Sequence, residues 1–229
     1  IFYGLHHARD SIRKNGHAIL VEGYTDVIQL YQNGIKNCVA VSGTAFSERH
    51  VNQMKRFCTK VLLAYDGDSA GISATLKTGY NLIKGGIEAQ VIEIPNKLDP
   101  DEWVSSKGPE VFIKEGVDKA IGLVDYHLKS SNYIEKSPSE KSNIATKILN
   151  EVREITDPII ANEIIRKIAE ASNVEEHEIK RMISTKTRAL KNNQTQEEEK
   201  DSFDTVNDKA AIGLIKALLH GASEPIAWI

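Results

Sequence analysis

Four short apolar segments alternate with amphipathic helical patterns over residues 17–94. The apolar segments are HAILVE at 17–22, NCVAVSG at 37–43, KVLLAYDGD at 60–68 and AQVIEIP at 89–95. Helical periodicity lies between them, at roughly 25–33, 47–57 and 69–84. Strands that alternate with helices at this spacing predict right-handed βαβ units. The pattern therefore predicts an α/β fold with a parallel sheet flanked by helices, in which ligands bind beyond the carboxyl ends of the strands.

The pattern changes after residue 117. Residues 118–190 show several helical periods, with Ser-Pro at 137–138 and Asp-Pro at 157–158 as start signals, and predict an α-helical bundle. Residues 191–205 are polar, acidic and aperiodic, as expected of a linker. The apolar helical pattern within 206–229 predicts the start of another domain. Because the chain begins at Ile1 and ends directly after this pattern, both ends are interpreted as cuts.

Composition indicates a globular protein. Hydrophobic residues make up 41% of the chain, which is enough for a core, and no apolar run reaches the roughly 18–20 residues of a membrane span. No signal peptide is evident, so a cytoplasmic location without membrane contact is expected. Cys38 and Cys58 have no zinc-like spacing and are expected to be reduced and buried.

The net charge of −3 conceals a polarity along the chain. Residues 1–60 hold 8 Lys and Arg against 4 Asp and Glu, whereas residues 61–117 hold 5 against 9. A basic flank beside an acidic region suits a metal site that handles phosphates, although uneven charge is also common on solvated surfaces.

Carboxylates follow the ends of three predicted strands. Glu22 ends the first apolar run, Asp66 and Asp68 end the third, and the loop after the fourth carries Asp99 and Asp101. Asp26 lies four residues after Glu22, near a helix start, and Glu102 also belongs to the last loop. Parallel strands bring these segments to one edge, where like charges must be neutralised by protons or cations. Oxygen ligands without Cys or His favour Mg²⁺ or Mn²⁺ over zinc.

Simpler interpretations exist for individual residues. Asp26 alone is equally typical of an acid that stabilises the first turn of a helix, and Glu102 is typical of a solvated side chain. His6, His7 and His50 are interpreted as surface or capping groups rather than catalytic bases. The basic side chains of the second helix, which could contact a phosphate backbone but are equally typical of a solvated face, are Arg49, Lys55 and Arg56.

Four phrases together resemble a known motif series. VEGYTDVI at 21–28, SGTAF at 42–46, AYDGDSAG at 64–71 and LDPDEW at 98–103 resemble, in order and spacing, the Toprim domain of bacterial DnaG-type primases. The resemblance covers roughly residues 1–190. It implies a lead-in helix at 1–16 that follows another subdomain, a Toprim catalytic domain at 17–117, and the bundle at 118–190. The segment 206–229 is similar to the start of the helicase-binding domain of that family.

The resemblance also implies roles for individual residues. Glu22, Asp66 and Asp68 correspond to the principal metal ligands and catalytic residues, and Asp26, Asp99 and Asp101 complete an acidic cluster that holds two or more Mg²⁺ or Mn²⁺ ions. The expected tight-turn or phosphate-approach positions, which are otherwise typical of ordinary turns, are Gly23, Gly43, Thr44, Gly67 and Gly71.

The activity implied by the resemblance is synthesis of short RNA primers by nucleotidyl transfer on a single-stranded DNA template, from ribonucleoside triphosphates. A replicative helicase is the implied partner of the C-terminal domain. Zinc is expected only in an N-terminal domain outside this chain, because no zinc-ribbon cysteines occur here. Two alternatives stay open: another Toprim enzyme, such as a nuclease or a topoisomerase fragment, and a non-catalytic replication module that binds helicase or single-stranded DNA.

Overall fold

The four apolar segments form neighbouring parallel strands in a computed structural model, which describes residues 1–41, 46–95 and 98–182. The described residues form a six-stranded sheet whose strands are, in spatial order, β1 (Phe2–Tyr3), β3 (Cys38–Val41), β2 (His17–Val21), β4 (Lys60–Ala64), β5 (Glu88–Val91) and β6 (Ile121–Gly122). Val21 pairs with both Ala40 and Ala64, so the carboxyl ends of β2, β3 and β4 are level with one another. The central strands are β2, β3, β4 and β5.

Two short edge strands make the sheet mixed rather than purely parallel. Strand β1 (Phe2–Tyr3) pairs antiparallel with β3, and β6 (Ile121–Gly122) pairs antiparallel with β5. The sequence did not predict either strand, because two residues are too few to show an alternating pattern. Segment 1–16 therefore does more than lead into the sheet, since it contributes an edge strand as well as α1 (Leu5–Asn15).

The helices between the parallel strands lie close to their predicted positions. They are α2 (Tyr24–Gln32), α3 (Glu48–Met54) and α4 (Ser69–Lys84). The region after β5 differs from the predicted loop, because it becomes helical at Pro100. It contains α5 (Pro100–Lys107), α6 (Pro109–Val111) and a π-helical turn at Phe112–Val117.

Alternation along the strands divides the sheet into two faces. On one face, Val21, Ala40 and Ala64 pack in a buried cluster with side chains of α2 and α5, among them Val27 and Trp103. Residues of the other parity point to the opposite face, where Tyr65 meets α4 through a hydrogen bond from its hydroxyl to Thr78 Oγ1 at 3.5 Å. Side chains just beyond the strand ends therefore point toward different helices.

The predicted bundle consists of α7 (Leu123–Ser130), α8 (Pro138–Val152) and α9 (Pro158–Ser172), and residues 176–182 are also helical. Both start signals are confirmed, because Ser137 accepts from the backbone N–H of Glu140 and Asp157 accepts from that of Ile159. The remainder of the predicted bundle, the linker and segment 206–229 lie outside the described residues.

The bundle packs on α4 through polar contacts as well as apolar ones. Lys84 forms ion pairs of 2.6 Å with Glu151 and 2.7 Å with Glu154. Buried His127 lies 2.9 Å from the hydroxyl of Tyr80, and burial lowers the pKa of His127 to about 4, so the ring is neutral. Residues Ile1–Ile179 form one compact unit.

Further expectations concern cysteines and membranes. Cys38 and Cys58 are both buried. Among the helices that the structure describes, none has the length and hydropathy needed to cross a membrane.

Candidate metal centre

Six carboxylates, which we call the acidic cluster, lie at the carboxyl edge of the sheet. Glu22 directly follows β2, and Asp66 and Asp68 follow β4 by two and four residues. Asp26 is in the first turn of α2, while Asp99 and Asp101 are at the start of α5. The members of the acidic cluster are Glu22, Asp26, Asp66, Asp68, Asp99 and Asp101.

Backbone hydrogen bonds orient three of these side chains. Asp26 Oδ2 accepts from the N–H of Gly23 at 2.9 Å, and Asp26 is only 7% exposed. Asp68 is the N-cap of α4 and accepts from the N–H of Gly71 at 2.7 Å, and Asp99 is the N-cap of α5 and accepts from the N–H of Glu102 at 2.7 Å. These carboxylates are thus fixed at helix starts, where the helix dipole favours negative charge.

Gly71 allows the turn between β4 and α4 to close. A Cβ at this position would lie 2.2 Å from the carbonyl oxygen of Asp66, far inside van der Waals contact. Gly67 is less constrained, since a Cβ there would be 3.5 Å from its nearest neighbour, the carbonyl oxygen of Ile94. Of these two predicted turn glycines, only Gly71 has to be glycine for the backbone of Asp66 to lie where it does.

The tightest grouping of carboxylates, which we call the tight carboxylate group, joins α2 to α5. Oxygen atoms of Asp26, Asp99 and Asp101 all lie within 4.8 Å of one another, and this is the one such group of three among the described residues. It consists of the three residues that the sequence assigned to complete the cluster. The roles of Glu22, Asp66 and Asp68 as principal ligands stay a prediction.

Burial and mutual repulsion raise the pKa values of four members. Desolvation raises the pKa of Glu22, and the charges of Asp66, Asp68 and Asp26 raise it further, against a hydrogen bond from the backbone of Asp66. Desolvation likewise raises the pKa of Asp26 and of Asp66, and the negative charge of Asp99 raises both pKa values further. The pKa of Asp101 rises to about 6, chiefly through a hydrogen bond from its protonated form to Asp99.

The remaining residues that the sequence singled out lie outside the acidic cluster or outside the described residues. Glu102 is exposed, as expected of a solvated side chain, and its carboxylate is not in the tight carboxylate group. His50 acts as a capping group, since its Nδ1 accepts from the N–H of Ser47 at 3.2 Å. Arg49, Lys55 and Arg56 are exposed on or just after α3. Gly43 and Thr44 lie outside the described residues.

Comparison with known proteins assigns the family. Residues 19–104 match the Toprim-like family. The DNA primase of Clostridium acetobutylicum is 36% identical over 177 residues, which are 76% of this chain and 29% of that protein. A DNA primase domain from Pseudomonas aeruginosa has a TM-score of 0.70 at 28% identity, covering 80% of this chain and 59% of that structure. The chain belongs to the bacterial DnaG-type primases.

A further neighbour supports the fold alone. The DnaG primase catalytic domain bound to single-stranded DNA has a TM-score of 0.68 at 23% identity, over 77% of this chain and 57% of that structure. The present chain spans under a third of the length of its curated relative from Clostridium.

The acidic cluster fits divalent cations. Its ligand atoms are all oxygens, which hard cations such as Mg²⁺ and Mn²⁺ prefer. Within the part of the chain that the structure describes, none of the six carboxylates forms an ion pair with Lys or Arg. No cation among the described residues thus compensates the repulsion that raises the pKa values of Glu22, Asp26, Asp66 and Asp101, and a bound metal ion would relieve it.

We expect Mg²⁺ to stabilise the fold more near neutral pH than in acid. Carboxyl groups whose folded-state pKa is raised contribute stability below their unfolded pKa of about 3.9, and this contribution is lost as the pH rises through the folded value; for Asp101 that value is about 6. Mg²⁺ and protons compete for the same oxygens. At a Mg²⁺ concentration a hundredfold above its Kd, the gain near neutral pH should be about 2.7 kcal/mol.

Melting temperatures with Mg²⁺ and with EDTA, measured near pH 7 and near pH 5, test this expectation. A fall in pH also weakens the fold through His127, because its folded-state pKa of about 4 lies below the unfolded value; its contribution to stability is present above the unfolded pKa and is lost as the pH falls. The difference between Mg²⁺ and EDTA at each pH cancels that effect. A Mg²⁺-induced shift as large in acid as at neutral pH would contradict the prediction.

Three features of the site region escaped sequence analysis. The His127–Tyr80 contact joins residues far apart in the chain, and no local pattern marks it. A cavity beside Glu22, which includes Lys77, also depends on tertiary packing. The start of α5 carried a usable signal, because Asp99-Pro100 is the same pair as the Asp157-Pro158 start that the sequence did reveal.

Proposed function

We propose that this chain forms the metal-binding part of a primase active site, which joins ribonucleotides into short RNA primers on a single-stranded DNA template for DNA replication. The observation that carries the proposal is the convergence of six carboxylates from β2, α2, β4 and α5 at the carboxyl edge of a Toprim sheet. The named relatives are DNA primases, which favours this function over a Toprim nuclease, a topoisomerase or a non-catalytic module.

In the proposed reaction, the 3′-hydroxyl of one ribonucleotide attacks the α-phosphorus of a nucleoside triphosphate. A bond forms between the 3′-oxygen and phosphorus, the bond to the bridging oxygen breaks, pyrophosphate leaves and the hydroxyl proton passes to solvent. Two or more Mg²⁺ or Mn²⁺ ions, when bound, would supply charge stabilisation at the attacking and leaving oxygens. The protein supplies fixed carboxylates, with Glu22, Asp66 and Asp68 as proposed principal ligands.

The chain's own contribution is to place these carboxylates before substrate binds. Level strand ends bring Glu22 and Asp66 to the same edge, and helix-start hydrogen bonds orient Asp26, Asp68 and Asp99. Ligands held in advance lose little freedom when the reaction proceeds, which is how positioning lowers a barrier to phosphoryl transfer.

The partners of the reaction follow from the family. We infer a single-stranded DNA template because the curated relatives are DNA primases. We further propose that ribonucleoside triphosphates are the substrates and that a replicative helicase binds through the domain that begins at 206–229. A zinc site in a preceding domain and a cytoplasmic location are also proposed.

Primer synthesis by the full-length protein tests the function. Purified protein should convert ribonucleoside triphosphates into short RNA on single-stranded DNA when Mg²⁺ or Mn²⁺ is present, and EDTA should abolish the product. Omission of the template is the matched control. Metal-dependent cleavage or relaxation of DNA without RNA synthesis would instead support a nuclease or a topoisomerase.

A further inference from the structure

A cavity of 310 Å³ lies beside Glu22, and we call it the Lys77 cavity. It is bounded by the ends of β2, β3 and β4 and by the middle of α4. Its lining residues are Glu22, Val41, Phe46, Tyr65, Ala74, Lys77 and Thr78.

The Lys77 cavity and the tight carboxylate group are on different faces of the sheet. Strand alternation places Val41 and Tyr65 on the face that α4 covers, together with Glu22, which continues the parity of Leu20. Asp26 and Asp99 belong to α2 and α5, which pack on the other face. Glu22 therefore lies between the tight carboxylate group on one face of the sheet and Lys77 on the other.

Lys77 is the cationic residue of this cavity. It is exposed and, within the described residues, it forms no ion pair with a carboxylate. Helical side chains lean toward the N-terminus of their helix, so Lys77 leans toward Ser69, where α4 begins beside Asp68. An ammonium group that pairs with no carboxylate among the described residues, and that lines the same cavity as Glu22, is suited to bind an anion.

Thr78 adds a hydrogen-bond donor to the wall, because its Oγ1 accepts from the hydroxyl of Tyr65 at 3.5 Å and its own hydroxyl proton is left to donate. Tyr65 is 8% exposed, and burial raises its pKa to about 12. The phenol therefore keeps its proton at physiological pH. A lysine and a hydroxyl beside a metal site form a donor set for phosphate oxygens.

We propose that the Lys77 cavity holds the β- and γ-phosphates of the nucleoside triphosphate, and hence pyrophosphate after the bond to the α-phosphorus breaks. This inference rests on the proposed function and adds the leaving-group site to it. When that bond breaks, its electron pair stays on the bridging oxygen of pyrophosphate, where negative charge grows. Lys77 is placed to stabilise that charge, which carboxylates alone would repel.

The decisive measurement is Mg²⁺-dependent binding of inorganic pyrophosphate to full-length protein, by calorimetry, for wild type, Lys77→Ala and Lys77→Arg. Loss of one charge-assisted contact should weaken binding about tenfold to a hundredfold in Lys77→Ala, with partial retention in Lys77→Arg. Lys14→Ala, which removes an exposed lysine of α1, is the matched control and should bind as the wild type does. Melting temperatures should agree among all four proteins, because both lysines are exposed.

Primer synthesis provides a second readout. Lys77→Ala should lower kcat/KM for ribonucleoside triphosphates, and Lys77→Arg should restore part of it. Absence of Mg²⁺-dependent pyrophosphate binding by the wild type, or equal binding by Lys77→Ala and Lys14→Ala, would overturn the assignment. If pyrophosphate binding depends on Lys77 while the wild type makes no RNA, the proposed function fails and the anion site stands.

Discussion

Glu22→Gln and Asp66→Asn should each abolish primer synthesis by the full-length protein without weakening its fold. Each change keeps the size of the side chain and removes one negative charge that the proposed metal site requires. Because groups that stabilise transition-state charge contribute about a hundredfold or more each, the expected loss of rate is at least of that order.

The same variants should be as stable as the wild type, or more stable, when metal is absent. Desolvation and neighbouring carboxylates raise the pKa values of Glu22 and Asp66, which means that their charged forms are unfavourable in the folded state. A neutral amide relieves that cost. Lost activity combined with an unchanged or higher melting temperature in EDTA would therefore separate a functional role from a structural one.

Glu110→Gln is the matched control for these substitutions. Glu110 is exposed in α6 and lies outside the acidic cluster, so the same chemical change should leave both RNA synthesis and stability unaltered. Primer yield and thermal melting, measured in parallel, give both quantities. Retained synthesis in Glu22→Gln would remove that residue from the set of ligands.

The positions of Glu22 and Asp66 could be predicted because buried parallel strands are read from continuous apolar runs. Once β2 and β4 are neighbours in register, the residues that follow them must emerge at one edge. The local pattern could not predict the distances between the carboxylates. The approach of Asp26 to Asp99 and Asp101 depends on how α2 packs against α5, which is a property of tertiary structure.

The sheet edges and the interior polar contacts escaped prediction for different reasons. Strands β1 and β6 are two residues long, so their pairing is imposed by the neighbours β3 and β5 rather than by their own sequence. His127 resembles any helical histidine until α7 is packed against α4, where Tyr80 becomes its partner. The faces of the sheet, in contrast, follow from alternation alone, and they explain why Glu22 borders the Lys77 cavity.

Trp103→Ala should lower the free energy of unfolding by about 3–5 kcal/mol, the usual cost of deleting a large buried aromatic side chain. Trp103 is 4% exposed, and its ring packs edge-on against that of Phe112 with the ring centroids 5.1 Å apart. A Cβ added at Gly116 would lie 3.1 Å from the Trp103 ring. Because the ring anchors α5 in the core cluster, its loss should also weaken Mg²⁺ binding through Asp99 and Asp101.

Urea unfolding and Mg²⁺ titration of the same preparations distinguish anchoring from simple loss of core. Trp103→Phe keeps an aromatic ring and should lose less stability than Trp103→Ala, whereas Ile134→Ala, at an 84% exposed position, should change it by no more than about 0.5 kcal/mol. A destabilised Trp103→Ala protein that still binds Mg²⁺ as tightly as the wild type would show that the carboxylates of α5 do not depend on this anchor. Weakened Mg²⁺ binding under conditions where the variant is fully folded is the expected result, because Asp99 caps the helix that Trp103 holds in place.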